Sequence, residues 1–145
     1  MKTLFILNDA PYGSERTYNG LRLAGAIAKQ EGSEKLLMEP LAIRLGEQTT
    51  LAKSLVMAGH PNEVRVFLIG DGASSAHRGQ KVPPGFYNVE TMIGNVIRHG
   101  GEVGICGTCM DARGMTDGEV ADGTHRSTLA ELTEWTIWAD KVLVF

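Results

Sequence analysis

Apolar positions along the chain fall into short runs separated by clusters of glycine, proline and small polar residues. Thr3 to Leu7 is apolar and β-rich without alternation, the pattern of a strand buried on both faces of a parallel sheet. It breaks at Asn8-Asp9-Ala10-Pro11-Tyr12-Gly13, a loop of turn formers, and Ser14 or Glu15 then opens a helix to about Gln30. Leu21, Ala24, Gly25 and Ala28 share one face of that helix, with Leu23 and Ile27 alongside, and Gly32 is a plausible stop. Val64 to Ile69 is a second, β-branched strand that ends in Gly70-Asp71-Gly72. After a segment marked by Gly79, Pro83 and Pro84, residues Val89, Met92, Ile93, Val96 and Ile97 form an apolar helix stripe closed by His99-Gly100-Gly101. Glu102 to Cys106 reads as a third strand, followed by a loop and a polar turn region. Ser127 to Ala139 reads as a helix with Leu129, Leu132 and Trp135 on one face, with Trp138 available to a partner subunit, and Lys141 to Phe145 as a terminal strand. Strands alternating with helical patterns predict an α/β fold, a parallel sheet with right-handed crossovers and helices on both faces.

The stretch from Ser33 to Asn62 follows this rhythm less well. Pro40 interrupts two short apolar patches, and Thr50 to Met57 reads as a helix ended by Gly59-His60-Pro61. Its leucines, isoleucine and valine are too many for a solvated linker, so it is expected to pack on the body and leave the sheet order unchanged.

Length and charge narrow the functional classes. At 145 residues the chain is one domain's worth and can bury a core without disulfides or metal. No apolar run approaches the ~20 residues of a bilayer span, so no membrane role is expected. The opening Met1 to Leu7 lacks the long apolar region and small-residue cleavage site of a secretory signal. With 14 basic and 17 acidic residues and no basic cluster, nucleic acid is not an expected partner. Two cysteines three apart are no disulfide framework; they point to a site in reduced cytoplasm.

In open α/β sheets the site lies beyond the carboxyl ends of the strands. Those ends are Asn8 to Glu15, Gly70 to Ser75 and Cys106 to Gly114, and the last carries the candidate chemistry. Cys106 closes a strand, and a following helical turn would aim backbone N–H groups at its sulfur and favour thiolate. Cys109, one turn on, has fewer such donors facing it and is expected to be the weaker nucleophile. Arg113 adds positive charge nearby and Asp111 opposes it; Thr108 completes the loop's candidates, while Tyr12 and Glu15 are rim candidates from the first loop. The plain alternative is a pair of small hydrophobes at a strand end. Cys-x-x-Cys itself admits a dithiol–disulfide pair, half of a zinc site, or a persulfide carrier, and spacing does not rank the third above the first. His60, His77, His99 and His125 are scattered with no second ligand pair, so no metal is expected. Gly70-Asp71-Gly72 is no dinucleotide fingerprint, no phosphate-binding glycine loop or GxSxG occurs, and no cofactor is expected.

Several segments together resemble the DsrE/DsrF-like sulfur-relay family, in its YchN-like branch. They are Asn8 to Glu15 with Leu21-Arg22-Leu23-Ala24, Val66 to Asp71, Arg78-Gly79-Gln80-Lys81, Cys106 to Gly114, and Leu132 to Thr136 through Ala139 to Leu143. They run in order over nearly the whole chain. The resemblance implies a three-layer α/β/α sandwich with a mostly parallel sheet, a single domain over 1–145, and an insertion at 33–62 relative to the compact family core. It further implies a persulfide carried on the cysteine eight residues before the glycine of the Arg-Gly pair, which here is Cys106. Sulfur donor and acceptor proteins are the implied partners, and a homotrimer or homohexamer the implied assembly. Cys109 is absent from single-cysteine carriers of the family, which leaves it as resolving thiol or as half of a thiol–disulfide oxidoreductase. A non-enzymatic oligomeric small-ligand-binding protein is the remaining alternative.

Overall fold

The computed structural model describes residues 1–30 and 62–145. The expected insertion at 33–62 and its helix at Thr50 to Met57 lie outside the described residues, except Asn62. That side chain donates to the carbonyls of Ile27 and Gln30, at 3.4 and 3.1 Å, where the first helix ends.

Five strands form one sheet: β1 (Lys2–Leu7), β2 (Glu63–Leu68), β3 (Glu102–Cys106), β4 (Thr124–Ser127) and β5 (Lys141–Val144). Their order is β4-β3-β2-β1-β5, and every pairing is parallel. Four α-helices connect them among the described residues: α1 (Arg16–Lys29), α2 (Val89–Arg98), α3 (Gly107–Asp111) and α4 (Leu129–Trp138). From β1 to β4 the chain steps across the sheet in one direction, so right-handed crossovers put α1, α2 and α3 on one face. The return from β4 past β1 to β5 runs the other way and lands α4 on the opposite face. The result is the expected layered α/β architecture.

Strand residues divide between two cores by simple alternation. Phe5, Leu7, Val66, Leu68, Val103 and Ile105 meet Leu21 and Ala24 of α1, Val89, Ile93 and Val96 of α2, and Met110 of α3. On the other face Leu4 and Phe67 meet Trp135 of α4, with Ile6, Ile69, Cys106 and Leu132 around them. Trp135 sets its ring edge-on to Phe67 with centroids 6.1 Å apart, the geometry the ring quadrupoles favour. Gly104 on β3 makes room for this: a Cβ there would stand 3.1 Å from the Trp135 ring.

Two readings of the sequence are corrected. The polar stretch after the cysteine loop contains an edge strand, Thr124–Ser127, preceded by a 3₁₀ turn at Asp117–Glu119. Its residues lack the apolar signature because only Ser127 is buried; pairing with β3 makes the strand. Leu129 does not share the buried face of α4 with Trp135. It is 75% exposed at the first turn, which Thr128 caps by accepting the Glu131 N–H at 3.3 Å. Trp138 is half-buried beneath the Arg65 guanidinium, 4.0 Å from its ring centroid.

Candidate functional site

The cysteines stand where β3 gives way to α3. Cys106 is the N-cap of α3, and its sulfur accepts the N–H of Cys109 at 3.3 Å. The Thr108 hydroxyl lies 3.4 Å from the same sulfur. One helical turn brings the two Cα atoms to 5.2 Å, within the span of a disulfide, and Cys106 and Cys109 are joined as one. The Cys109 sulfur accepts a donor of its own, the N–H of Gly70 at 3.2 Å. This corrects the expectation that Cys109 is poorer in donors: the missing N–H comes from the neighbouring loop, where Gly70 adopts a left-handed backbone (φ 57°) after β2. Thiolate charge on either sulfur therefore has a backbone dipole to meet it, and Cys106 has the hydroxyl in addition.

A cavity of about 670 Å³ opens beside the sulfurs on the α4 face of the sheet. Phe67 and Ile69 of the β2 end form its floor, Leu129 and Leu132 of α4 its far wall, and Cys106 to Cys109 with Asp111 its near wall. Arg126, Ser127 and Thr128 close the β4 side. The lining is mostly apolar.

Charge around this cavity is paired. Arg126 donates to Asp117 at 2.7 Å, to Asp111 at 2.9 Å and to the Gly107 carbonyl at 3.1 Å. The Asp117 and Asp111 carboxylates hold it protonated even more firmly than an ordinary arginine. Ser127, buried on β4 in register with Cys106, donates its hydroxyl to Glu131, which also meets His125 at 3.0 Å. Burial pushes the Glu131 carboxyl up, but the Ser127 and His125 contacts, with the Arg65 charge, bring it below its ordinary value.

Of the residues singled out from the sequence, Cys106, Thr108, Cys109 and Asp111 come together around the cavity. Arg113 belongs to the same loop but does not line the cavity: it donates to Asp71 and to the Cys109 carbonyl, the latter at 3.0 Å. It ties the end of α3 to the loop after β2 and offers no free charge to a thiolate. Tyr12 and Glu15 do not line the cavity. Tyr12 donates to Gln80 at 2.6 Å, accepts the Val89 N–H at 3.2 Å and stacks on Tyr87, bracing the start of α2. Glu15 precedes α1 without capping it through its side chain. Arg126, Ser127, Phe67, Ile69, Leu129 and Leu132 were not singled out as site residues. Phe67 and Ile69 carried a usable signal, since they alternate along β2 onto the face that Cys106 shares; Arg126 and Ser127 sit on the strand that polar composition hid.

Comparison with known proteins agrees with this architecture. The family model described as the DsrE/DsrF-like family matches residues 1–145. Protein YchN of Escherichia coli (strain K12) is 35% identical over 144 residues, covering 99% of this chain and 98% of its own. An uncharacterized protein of Methanopyrus kandleri is 29% identical over 140 residues, covering 97% and 90%. The crystal structure of the E. coli YchN protein superposes with a TM-score of 0.68 at 32% identity, covering 100% of this chain and 99% of that one. A protein of unknown function from Methanobacterium thermoautotrophicum shares the fold at 11% identity, with a TM-score of 0.55 over 99% of this chain and 98% of its own.

Proposed function

The chain belongs to the DsrE/DsrF-like family, and from that premise we propose that it works in sulfur relay, with Cys106 carrying sulfane sulfur as a persulfide between donor and acceptor proteins in the reducing cytoplasm. The observation that carries this reading is the setting of Cys106: a strand-end sulfur that caps α3, receives an N–H and lies by a hydroxyl, and borders an open cavity. The Cys106 thiolate attacks the outer sulfur of a donor persulfide R–S–SH, forms Cys106–S–SH and releases R–S⁻. An acceptor thiolate then attacks that outer sulfur, takes it as a new persulfide and restores the Cys106 thiolate. Cys109 offers a second exit. Its thiolate attacks the inner Cys106 sulfur, expels HS⁻ and leaves the Cys106–Cys109 disulfide, which a thiol reductant must reopen before another cycle.

Alkylation and intact mass after treatment with a sulfur donor test the assignment. Cys106→Ser should abolish the reducible sulfur adduct, whereas Cys109→Ser should load normally and hold the adduct longer. Equal loading of Cys106→Ser refutes Cys106 as carrier. The disulfide itself favours one second reading, a thiol–disulfide oxidoreductase. In that case the wild-type disulfide turns over catalytically, and no sulfur adduct forms on either variant.

A further inference from the structure

We propose that the cavity beside Cys106 is a binding site for a low-molecular-weight thiol or persulfide with an uncharged, apolar body, so that one sulfur partner of this protein is a small molecule rather than a protein. This rests on the carrier reading of Cys106.

Three independent features converge on that class. The first is size. Transfer between two protein cysteines needs only an accessible sulfur, whereas about 670 Å³ of concave space lies within the ~300–1,000 Å³ range of small-molecule sites. The second is the surface. Phe67 and Ile69 on the floor and Leu132 on the wall present hydrocarbon next to the sulfur. Leu129 extends it to the mouth, 75% exposed on a capped helix turn where its side chain serves no core. The third is charge. Arg126, the basic residue among those lining the cavity, is engaged by two carboxylates and a carbonyl. Arg113 in the adjoining turn is engaged by Asp71. An anionic thiol such as a charged peptide or a phosphorylated carrier would therefore meet excess carboxylate at the rim, not an open cation. Thr108, beside the Cys106 sulfur, leaves a hydroxyl for one polar group at that end.

The exchange is a balanced thiol–persulfide transfer. With R the apolar body, Cys106–S⁻ and R–S–SH give Cys106–S–SH and R–S⁻, and the same step run backwards delivers sulfur to the small thiol. One sulfur–sulfur bond forms as one breaks, and no outside oxidant or reductant takes part.

Three persulfide sources test the assignment on the reduced full-length protein: adamantyl persulfide, glutathione persulfide and inorganic polysulfide, with loading of Cys106 read by intact mass over time. Rates are divided by those of a free small thiol, which removes intrinsic reactivity. The adamantyl source should be favoured over glutathione persulfide on the order of tenfold, and its rate should saturate, as expected when roughly 55 Å² of hydrocarbon is buried. Leu129→Asp places a carboxylate at a helix N-terminus, where the fold accepts it, and should pull that ratio towards one. Ile137→Asp, at an exposed position of α4 away from the cavity, should leave the ratio unchanged. A ratio near one, or a preference for glutathione persulfide, overturns the small apolar ligand while inorganic loading still upholds Cys106 as carrier. Loading from none of the three sources overturns the carrier reading itself.

Discussion

Gly72 sits in the 3₁₀ turn Gly70–Ala76, packed against the end of β1 so closely that a Cβ there would lie 2.1 Å from the Leu7 carbonyl oxygen and 2.8 Å from its carbon. Such contacts must open beyond 3.0 Å. β1 is poorly placed to yield, because the same Leu7 carbonyl accepts the Ile69 N–H at 3.0 Å and Leu7 is locked in register with Leu68. The turn must move instead. That motion loosens the Gly72 N–H from the carbonyls of Asn8 and Ile69, both at 3.0 Å. Overpacking costs about 1–3 kcal/mol and a lost hydrogen bond about 1 kcal/mol, while stiffening the unfolded chain returns up to about 1 kcal/mol. Gly72→Ala should therefore lose about 2–3 kcal/mol of stability, which for a chain this long lowers Tm by roughly 7–10 °C. Thermal unfolding followed by circular dichroism measures it. Gly118→Ala is the control, since a Cβ there meets nothing within 4 Å and the backbone is ordinary, so it should fall within ~0.5 kcal/mol of wild type. A Gly72→Ala protein as stable as the control would refute the packing of this turn on β1.

Further outcomes follow from the site and the surface. Glu131 titrates below its ordinary value in the fold, so its stabilising contribution is complete above about pH 4.5 and is lost as the pH falls through its lowered value. Ser127→Ala should flatten that part of the acid stability profile in chemical denaturation; an unchanged profile counts against the Ser127–Glu131 contact. Arg126→Met should free the Gly107–Asp111 helix from Asp117 and β4 and speed amide exchange across α3, and unchanged exchange would show that the clamp does not hold it. Exposed Val142 and Val144 with half-buried Phe145 present apolar surface along the β5 edge, and we expect a homotrimer or homohexamer; light scattering that gives only monomer at micromolar concentration refutes it.

What the sequence disclosed followed the strength of its periodic signals. The continuous runs at Thr3 to Leu7 and Val64 to Ile69 and the stripe from Val89 to Ile97 became β1, β2 and α2 within a residue or two, because burial on one or both faces writes itself into composition. Thr124–Ser127 left no such trace: an edge strand with solvent beside it has one buried residue, and pairing alone defines it. Arg126 and Ser127 were hidden with it. Cys106 and Cys109 were legible because strand end, turn and spacing are local facts. The partners of Arg113 were not, since Asp71 lies 42 residues away along the chain and only the parallel register of β2 and β3 brings the two loops together.

Reverse passage from β4 to β5 leaves the cavity with two walls of different character. Cys106 and the hydrocarbon floor belong to the interior of the sheet, where β2 and β3 each have neighbours on both sides and side chains are fixed by both cores. The opposite wall is the first half of one ten-residue helix, seated on the sheet chiefly through Trp135 two turns further along. Reactivity and selectivity are thus built into separate pieces of the chain. Substitutions at Leu129 or Leu132 can reshape what enters without disturbing the turn that holds the sulfur, and the same chemical centre can be fitted to new cargo by rewriting a few residues near the carboxyl end.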